Sequence, residues 1–251
     1  MSGDPYWGSV VLLAPMEGAN DSTTFTDYSS SPKTITAYGN AKISTAQSKW
    51  GDGSGYFDGT GDYLSIGTDT DFDFGSGDLT IEMWFRSADT AASTSLLTRE
   101  WVGSPWTGGF TIQMRYGASG PLGIYMADYS TSSPLMVGST TSHGDDNWHH
   151  FAWTKSGNVH RLFLDGVQED TETTSASFAS VSKDISIASD QTFGGRYFTG
   201  YIQDLRITRA ARYVANFTPP TAAFDAFGPP VPNPSISRPL IQAFNPSIFN
   251  G

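Results

Sequence analysis

Residues 79–86 read LTIEMWFR, in which Leu79, Ile81, Met83 and Phe85 alternate with Thr80, Glu82, Trp84 and Arg86. A period of two puts one set on each face of an extended strand. No long run places apolar residues at the three-and-four spacing of an amphipathic helix. That contrast predicts an all-β chain with little helix. Further strand-length runs are spread along the chain, at about a dozen residues per strand. They are VVLL from Val10, SLLTRE from Ser95, GFTIQMRYG from Gly109, LGIYMADY from Leu122, LMVGS from Leu135, ISIASD from Ile185 and GYIQDLRIT from Gly200. Residues 35–43 have room for a short strand pair, SGYFDGTGDYLSI reads as strand, turn and strand, and RAARYVANF as a short helix or turn. Such regular spacing predicts a sandwich, and 251 residues are ample for its core.

Composition narrows the function classes. The chain holds 25 acidic and 14 basic residues, a net charge of −11. A surface this acidic repels phosphate backbones, so nucleic acid is not an expected partner. There is no cysteine, which excludes disulfides and thiolate metal sites and favours assembly in a reducing cytoplasm. The first residues, MSGDPYWGSVVLLAP, have no basic region ahead of an apolar run about one strand long, so neither a signal peptide nor a membrane span is expected there.

From Phe227 the character changes. Residues 227–251 hold six of the 14 prolines and one charged side chain, Arg238. Proline fixes φ and removes a donor, so this stretch suits neither a helix nor a central strand. It reads as an extended arm whose apolar anchors are Leu240, Ile241, Phe244 and Phe249. A disordered tail is polar and charged, whereas this one is apolar, which suits docking on a neighbour.

Residues 147–168 read NWHHFAWTKSGNVHRLFLDGVQ. Lys155-Ser156-Gly157-Asn158 and Asp165-Gly166 are turn signals. Ahead of the first turn His149 and His150 are strand neighbours, which point to opposite faces and do not chelate one ion together. Both histidines are therefore expected to be structural. This hairpin resembles the signature of laminin-G-like, concanavalin A-like jelly rolls, W-H-H-[VF]-A-x-T-x-x-G-x-x-x-x-[LF]-x-[LV]-D-G. SGYFDGTGDYLSI, FDFGSGDLTIEMWFR and FTGYIQDLRITRAARYVANFTPP resemble the same family in the same order. The resemblance covers roughly residues 4–226 and implies an antiparallel jelly-roll sandwich (1–226) followed by the arm (227–251). It also implies that residues 4–14 pair with the strand around 200–208. The R-x-A-R-Y-x-x-x-F-T-P-P ending is most similar to versions in bacteriophage virion and tail-fibre proteins.

What the resemblance implies for function is a non-enzymatic phage virion protein, either a capsid decoration protein or a tail-fibre module, assembled in the host cytoplasm. Its partners would be other virion proteins and further copies of itself, with no membrane. A carbohydrate-binding adhesin is the alternative and a glycoside hydrolase the third. The hydrolase needs two suitably spaced carboxyl groups. Glu82 has no second acid on its strand, and Glu169-Asp170-Thr171-Glu172 reads as a solvated run. For the binding role, Trp101 and Trp106 sit in a Gly/Ser/Pro loop, with Tyr116 and Tyr125 on following strands. They suit glycan contact, a subunit interface or simple packing. Jelly rolls of this kind often hold a structural calcium, and the resembling positions are Asp27, Ser29 and Asp204. Here Ser30 stands where the pattern has glycine and Gln203 where it has an acid.

Overall fold

The computed structural model describes residues 3–51, 53–89, 93–100, 108–114, 123–126, 135–138, 143–175, 177–178, 180, 182–191 and 194–228. Two antiparallel sheets face each other. The first holds β1 (Val10–Ala14), β4 (Lys42–Ser44), β5 (Ser54–Asp58), β7 (Leu79–Arg86), β12 (Trp148–Ser156), β13 (Val159–Leu164), β14 (Val167–Thr173) and β16 (Thr199–Thr208). The second holds β2 (Phe25–Thr26), β3 (Thr34–Tyr38), β6 (Tyr63–Ile66), β8 (Thr94–Arg99), β9 (Phe110–Met114), β10 (Gly123–Met126), β11 (Met136–Val137) and β15 (Ile185–Ile187). The first runs β14-β13-β12-β7-β16-β5-β4, and the second β11-β10-β9-β8-β15-β6-β3-β2. The two helical turns among the described residues, Trp7–Ser9 and Thr70–Phe72, are single 3-10 turns. The all-β expectation holds, and the fold is a concanavalin A-like jelly roll.

The alternation in LTIEMWFR does what its period requires. Leu79, Ile81, Met83 and Phe85 enter the core, while Thr80, Glu82, Trp84 and Arg86 lie on the outer face of the first sheet. Opposite them, Phe151 and Trp153 of β12 and Leu162 and Leu164 of β13 join the same core. Trp153 is fully buried, its ring 5.2 Å from Phe110 at 72° and 5.7 Å from Phe178. Each such side chain contributes roughly 1.5–3 kcal/mol on leaving water.

β16 organises the closure. Along one edge it pairs with β7. Along the other, Thr199–Ile202 pair with β5 and Leu205–Thr208 pair with β1. The expected pairing of the chain's two ends is present, as Val10↔Thr208 through Ala14↔Leu205. Where β16 changes partner its register with β7 shifts, and Asp204 takes φ 51°.

Two local expectations are corrected. β3 and β4 are not a pair, because β3 joins β2 and β6 in the second sheet while β4 joins β5 in the first. SGYFDGTGDYLSI is strand, turn and strand as expected, its turn linking β5 of the first sheet to β6 of the second. RAARYVANF contains no helix: beyond Thr208 it runs irregularly across the first sheet, held by side-chain contacts. Of the arm, only Phe227 and Gly228 are described. Phe227 accepts a hydrogen bond from the Asp4 amide at 3.0 Å, and Gly228 lies against Trp7. Leu240, Ile241, Phe244 and Phe249 lie outside the described residues.

Candidate functional site: a tyrosine-lined cleft

The outer face of the first sheet divides into a covered half and an open half. In the covered half Glu82 is completely buried. Its Oε1 accepts from Arg206 Nε and Nη2 at 2.9 and 2.7 Å, and its Oε2 accepts from the Tyr213 hydroxyl at 2.8 Å. His150 Nε2 stands 3.4 Å from Oε2. Burial pushes the Glu82 pKa up, but Arg206, His150 and Arg212 outweigh it and hold the carboxyl below its usual range. Asp4 completes the network, accepting from Arg206 at 3.0 Å and from both Arg212 terminal nitrogens at 3.1 and 2.6 Å.

This network explains the ending that follows β16. Tyr213 stacks on Phe217 with centroids 3.6 Å apart and planes within 7°. Phe217 in turn meets Phe163 and His150 edge-on, at 5.3 and 5.7 Å. Arg212, Tyr213 and Phe217 thus strap the segment down onto the sheet. Glu82 is enclosed and held ionised, so it cannot shuttle a proton to a bound substrate. The second acidic stretch lies on the partly exposed edge strand β14, where Asp170 accepts from the Val137 amide at 2.9 Å.

The open half lies beyond Trp84. Tyr56 and Tyr201 are cross-strand neighbours on β5 and β16, their rings 5.2 Å apart and inclined at 44°. Tyr201 also faces Arg86 of β7. Arg86 makes a two-pronged pair with Asp146, both bonds 3.0 Å, and its third nitrogen donates to Gln47. Ser87 Oγ donates to the Thr199 carbonyl at 2.7 Å and accepts from the Asp89 amide at 3.0 Å. These groups line an open cleft of about 480 Å³. Gly200 lets the strands approach: it sits at φ 140°, and a Cβ there would fall 2.1 Å from the Arg86 carbonyl oxygen. The Tyr201 phenol is pushed above its ordinary pKa by burial and then by Tyr56, which keeps its hydroxyl protonated as a donor.

The two histidines follow strand parity. His149 lies on the core side, its ring 5.8 Å from Phe85, with Nδ1 2.7 Å from Asp165 and Nε2 3.0 Å from Asp145. His150 points outward, to Glu82, Trp84 and Phe217. Asp27 and Ser29 come together, with Ser29 Oγ donating to Asp27 Oδ2 at 2.9 Å. Asp27 also accepts from the amides of Leu13, Ser29 and Lys33 at 3.0, 2.8 and 2.8 Å. Those four donors occupy the roughly four lone-pair sites of a carboxylate. Asp204 is 1% exposed, and burial pushes its pKa up to about 7 against the opposing pull of the Phe224 backbone amide and the Arg206 charge. Of the trio, only Asp204 offers oxygens to a calcium ion, one carboxylate where calcium takes six to eight oxygens. Among the described residues, no group of three His, Cys, Asp or Glu is arranged to hold a metal.

Trp101, Trp106 and Tyr116 lie outside the described residues. Tyr125 belongs to β10, its backbone opposite Thr111. Tyr56, Tyr201, Arg86 and Asp146 escaped the reading of the sequence. The signal was there in the repeated Gly-Tyr doublets, Gly55-Tyr56 and Gly200-Tyr201, each in a strand whose alternation sends the tyrosine outward.

Comparison with known proteins supports the fold. A family model, Laminin_G_3, described as the concanavalin A-like lectin/glucanases superfamily, matches residues 58–216. None of the curated proteins matches the chain. Among solved structures, the binding domain of Paraclostridial Mosquitocidal Protein 1 superposes with a TM-score of 0.64 at 15% identity, covering 83% of this chain and 50% of that one. Domain 4 of AbnA, a GH43 extracellular arabinanase from Geobacillus stearothermophilus, in complex with arabinotriose, gives 0.59 at 15% identity, covering 81% and 94%. The botulinum neurotoxin serotype D/C binding domain gives 0.61 at 12% identity, covering 83% and 50%. The chain spans about half the length of the two toxin binding domains.

Proposed function

The chain belongs to the Laminin_G_3 family of the concanavalin A-like lectin/glucanases superfamily, and we propose that it is a non-enzymatic, saccharide-binding module whose ligand enters the Tyr56–Tyr201 cleft. The observation that carries this reading is the pairing of two adjacent phenol rings with a fixed Arg86–Asp146 fork in one open cleft. Aromatic rings offer apolar faces to the C–H side of a sugar ring, and the fork presents donors and acceptors to its hydroxyls. Preorganisation matters: Arg86 is held from two sides, so little side-chain entropy is lost on binding. The arabinotriose complex of a domain with this fold supports the ligand class.

The test is titration calorimetry of the purified chain against a panel of neutral and charged oligosaccharides. Tyr201→Ala and Arg86→Ala should each lower affinity at least tenfold while the domain remains folded, and no probe should be hydrolysed. Turnover of any probe, or binding unaffected by both substitutions, rejects the reading.

The finer placement is on a phage particle, as a capsid decoration protein or a tail-fibre module anchored by residues 227–251. The R-x-A-R-Y-x-x-x-F-T-P-P ending and the apolar, proline-rich composition of the arm support it. A particle map that locates the chain decides between head and fibre. Truncation after Ala226 should leave a folded domain that no longer joins its assembly.

A further inference from the structure

The Arg86–Asp146 pair is not symmetric toward solvent. The Arg86 side chain is 21% exposed and that of Asp146 56%. Each guanidinium nitrogen already has an acceptor: Nε and Nη2 donate to Asp146 and Nη1 to Gln47. The backbone of Asp146 is fixed as well, its amide donating to the Ser87 carbonyl at 2.9 Å. The carboxylate is thus held at the cleft wall as the outer member of the pair. The hydrogen bonds from Arg86 keep its carboxyl below the usual range, so it is ionised at neutral pH. A ligand entering the cleft meets a carboxylate before it meets a cation.

The rest of the wall has the same sign. Among the described residues, the lining holds two carboxylates, Asp89 and Asp146, and one cation, Arg86. Lys42, the cross-strand neighbour of Tyr56, has its ammonium on Asp21 at 2.6 Å. The Tyr56 and Tyr201 rings add the negative faces of their quadrupoles, which attract a cation within roughly 6 Å of a ring centre. The protein as a whole carries −11. Such a field draws in cations and repels uronate- or sialate-bearing chains.

We propose that the saccharide taken by the Tyr56–Tyr201 cleft is cationic, one with free amino groups, an ammonium resting against the Asp146 carboxylate and a tyrosine face. This deepens the saccharide-binding reading and rests on it. N-acetylation removes the charge that the cleft selects. An acidic sugar would have to compete with Asp146 for Arg86. Attraction between partly exposed charges is screened by salt, so the preference for the amine should shrink as ionic strength rises.

The experiment is calorimetric titration of the full chain with glucosamine and galactosamine oligomers of two to four units. Their N-acetylated counterparts, cello-oligosaccharides and galacturonate oligomers of the same lengths are titrated beside them. In the series that binds, the amine should bind at least tenfold more tightly than its N-acetyl form at low salt, and the ratio should fall at about 0.5 M salt. Trilysine, which matches the charge of an amino-sugar trimer without its rings, should bind at least tenfold more weakly than that trimer. Asp146→Asn leaves Arg86 without its acid. It should abolish the preference for the amine and strengthen galacturonate binding at least fivefold, with a thermal melt checking the fold. Neutral or acidic oligomers bound as tightly as the amines, or trilysine bound as tightly as the trimer, overturns the cationic selection and leaves the cleft reading intact. An Asp146→Asn variant that is folded and keeps the amine preference overturns the selection as well. No binding by any of the saccharides overturns both.

Discussion

Asp4 and Arg212 stand 208 residues apart in sequence and form a two-pronged ion pair, 3.1 and 2.6 Å, beneath the outer surface of the first sheet. Asp4 also takes Arg206, and Arg206 takes Glu82. The two ends of the jelly roll are thereby joined through side chains as well as through the β1–β16 ladder.

Removing one partner leaves a buried charge uncompensated. Glu82→Gln should therefore destabilise the domain by about 3–5 kcal/mol, which at this size lowers Tm by very roughly 6–20 °C. Combining it with Asp4→Asn should cost less than the sum of the two single losses, because both act on one network. Urea titration measures this, and strict additivity would show that the two carboxylates are independent.

Asp204 is the opposite case, a buried carboxyl whose loss of water outweighs the Phe224 amide and the Arg206 charge. Its folded pKa is raised from 3.8 to about 7, so the folded state binds the proton more tightly than the unfolded chain does. Stability must then fall as pH rises through that window. Asp204→Asn removes the charge, and asparagine tolerates φ 51°. The variant should match the parent near pH 4 and exceed it above pH 7, by up to about 4 kcal/mol. Parallel melts at pH 4, 6 and 8 test it, and a variant less stable than the parent at pH 8 refutes it.

His149 titrates with its own signature. Its hydrogen bond to Asp165 raises its pKa, with burial opposing and Asp145 adding to the rise. The bridge between the two turns is strongest with the imidazolium form. Its contribution is complete below the unfolded value of 6.5 and is lost as pH rises through the higher folded value. His149→Gln should narrow its deficit against the parent on going from pH 6 to pH 9. A deficit constant over that range would mean that His149 acts only by packing.

The calcium expectation meets the Asp27 hydrogen bonds directly. An ion binding Asp27 would have to displace three amides and a hydroxyl. Chelator should leave Tm unchanged, since a ligand stabilises only in proportion to its native-state binding. A fall of several degrees in EDTA that is reversed by calcium, and abolished in Asp204→Asn, would show that calcium binds.

How much of this was legible beforehand follows from which interactions are local. The period of two is a property of one strand. Hence Leu79, Ile81, Met83 and Phe85 were assignable to the core, and His149 and His150 to opposite faces, before any partner was known. Family motifs extended this to the pairing of β1 with β16. The β3–β4 pairing failed because the neighbour of a strand depends on which sheet it enters, and residues 35–43 carry no mark of that. RAARYVANF failed as a helix because its shape comes from Glu82, Asp4 and Phe163, all distant in sequence.

The sequence by itself determined the strands, their inner and outer faces, the family and the abrupt change of composition at the arm, since each rests on residues a few positions apart. Tertiary structure alone decided that Tyr56 lies against Tyr201, that Asp146 holds Arg86, that Glu82 is sealed under Tyr213 and that Asp204 is buried. The physical reason is register: in a sheet, side chains become neighbours only through the pairing of strands remote along the chain. That pairing is chosen by the packing of the whole sandwich, so the cleft it creates exists in no single stretch of the sequence.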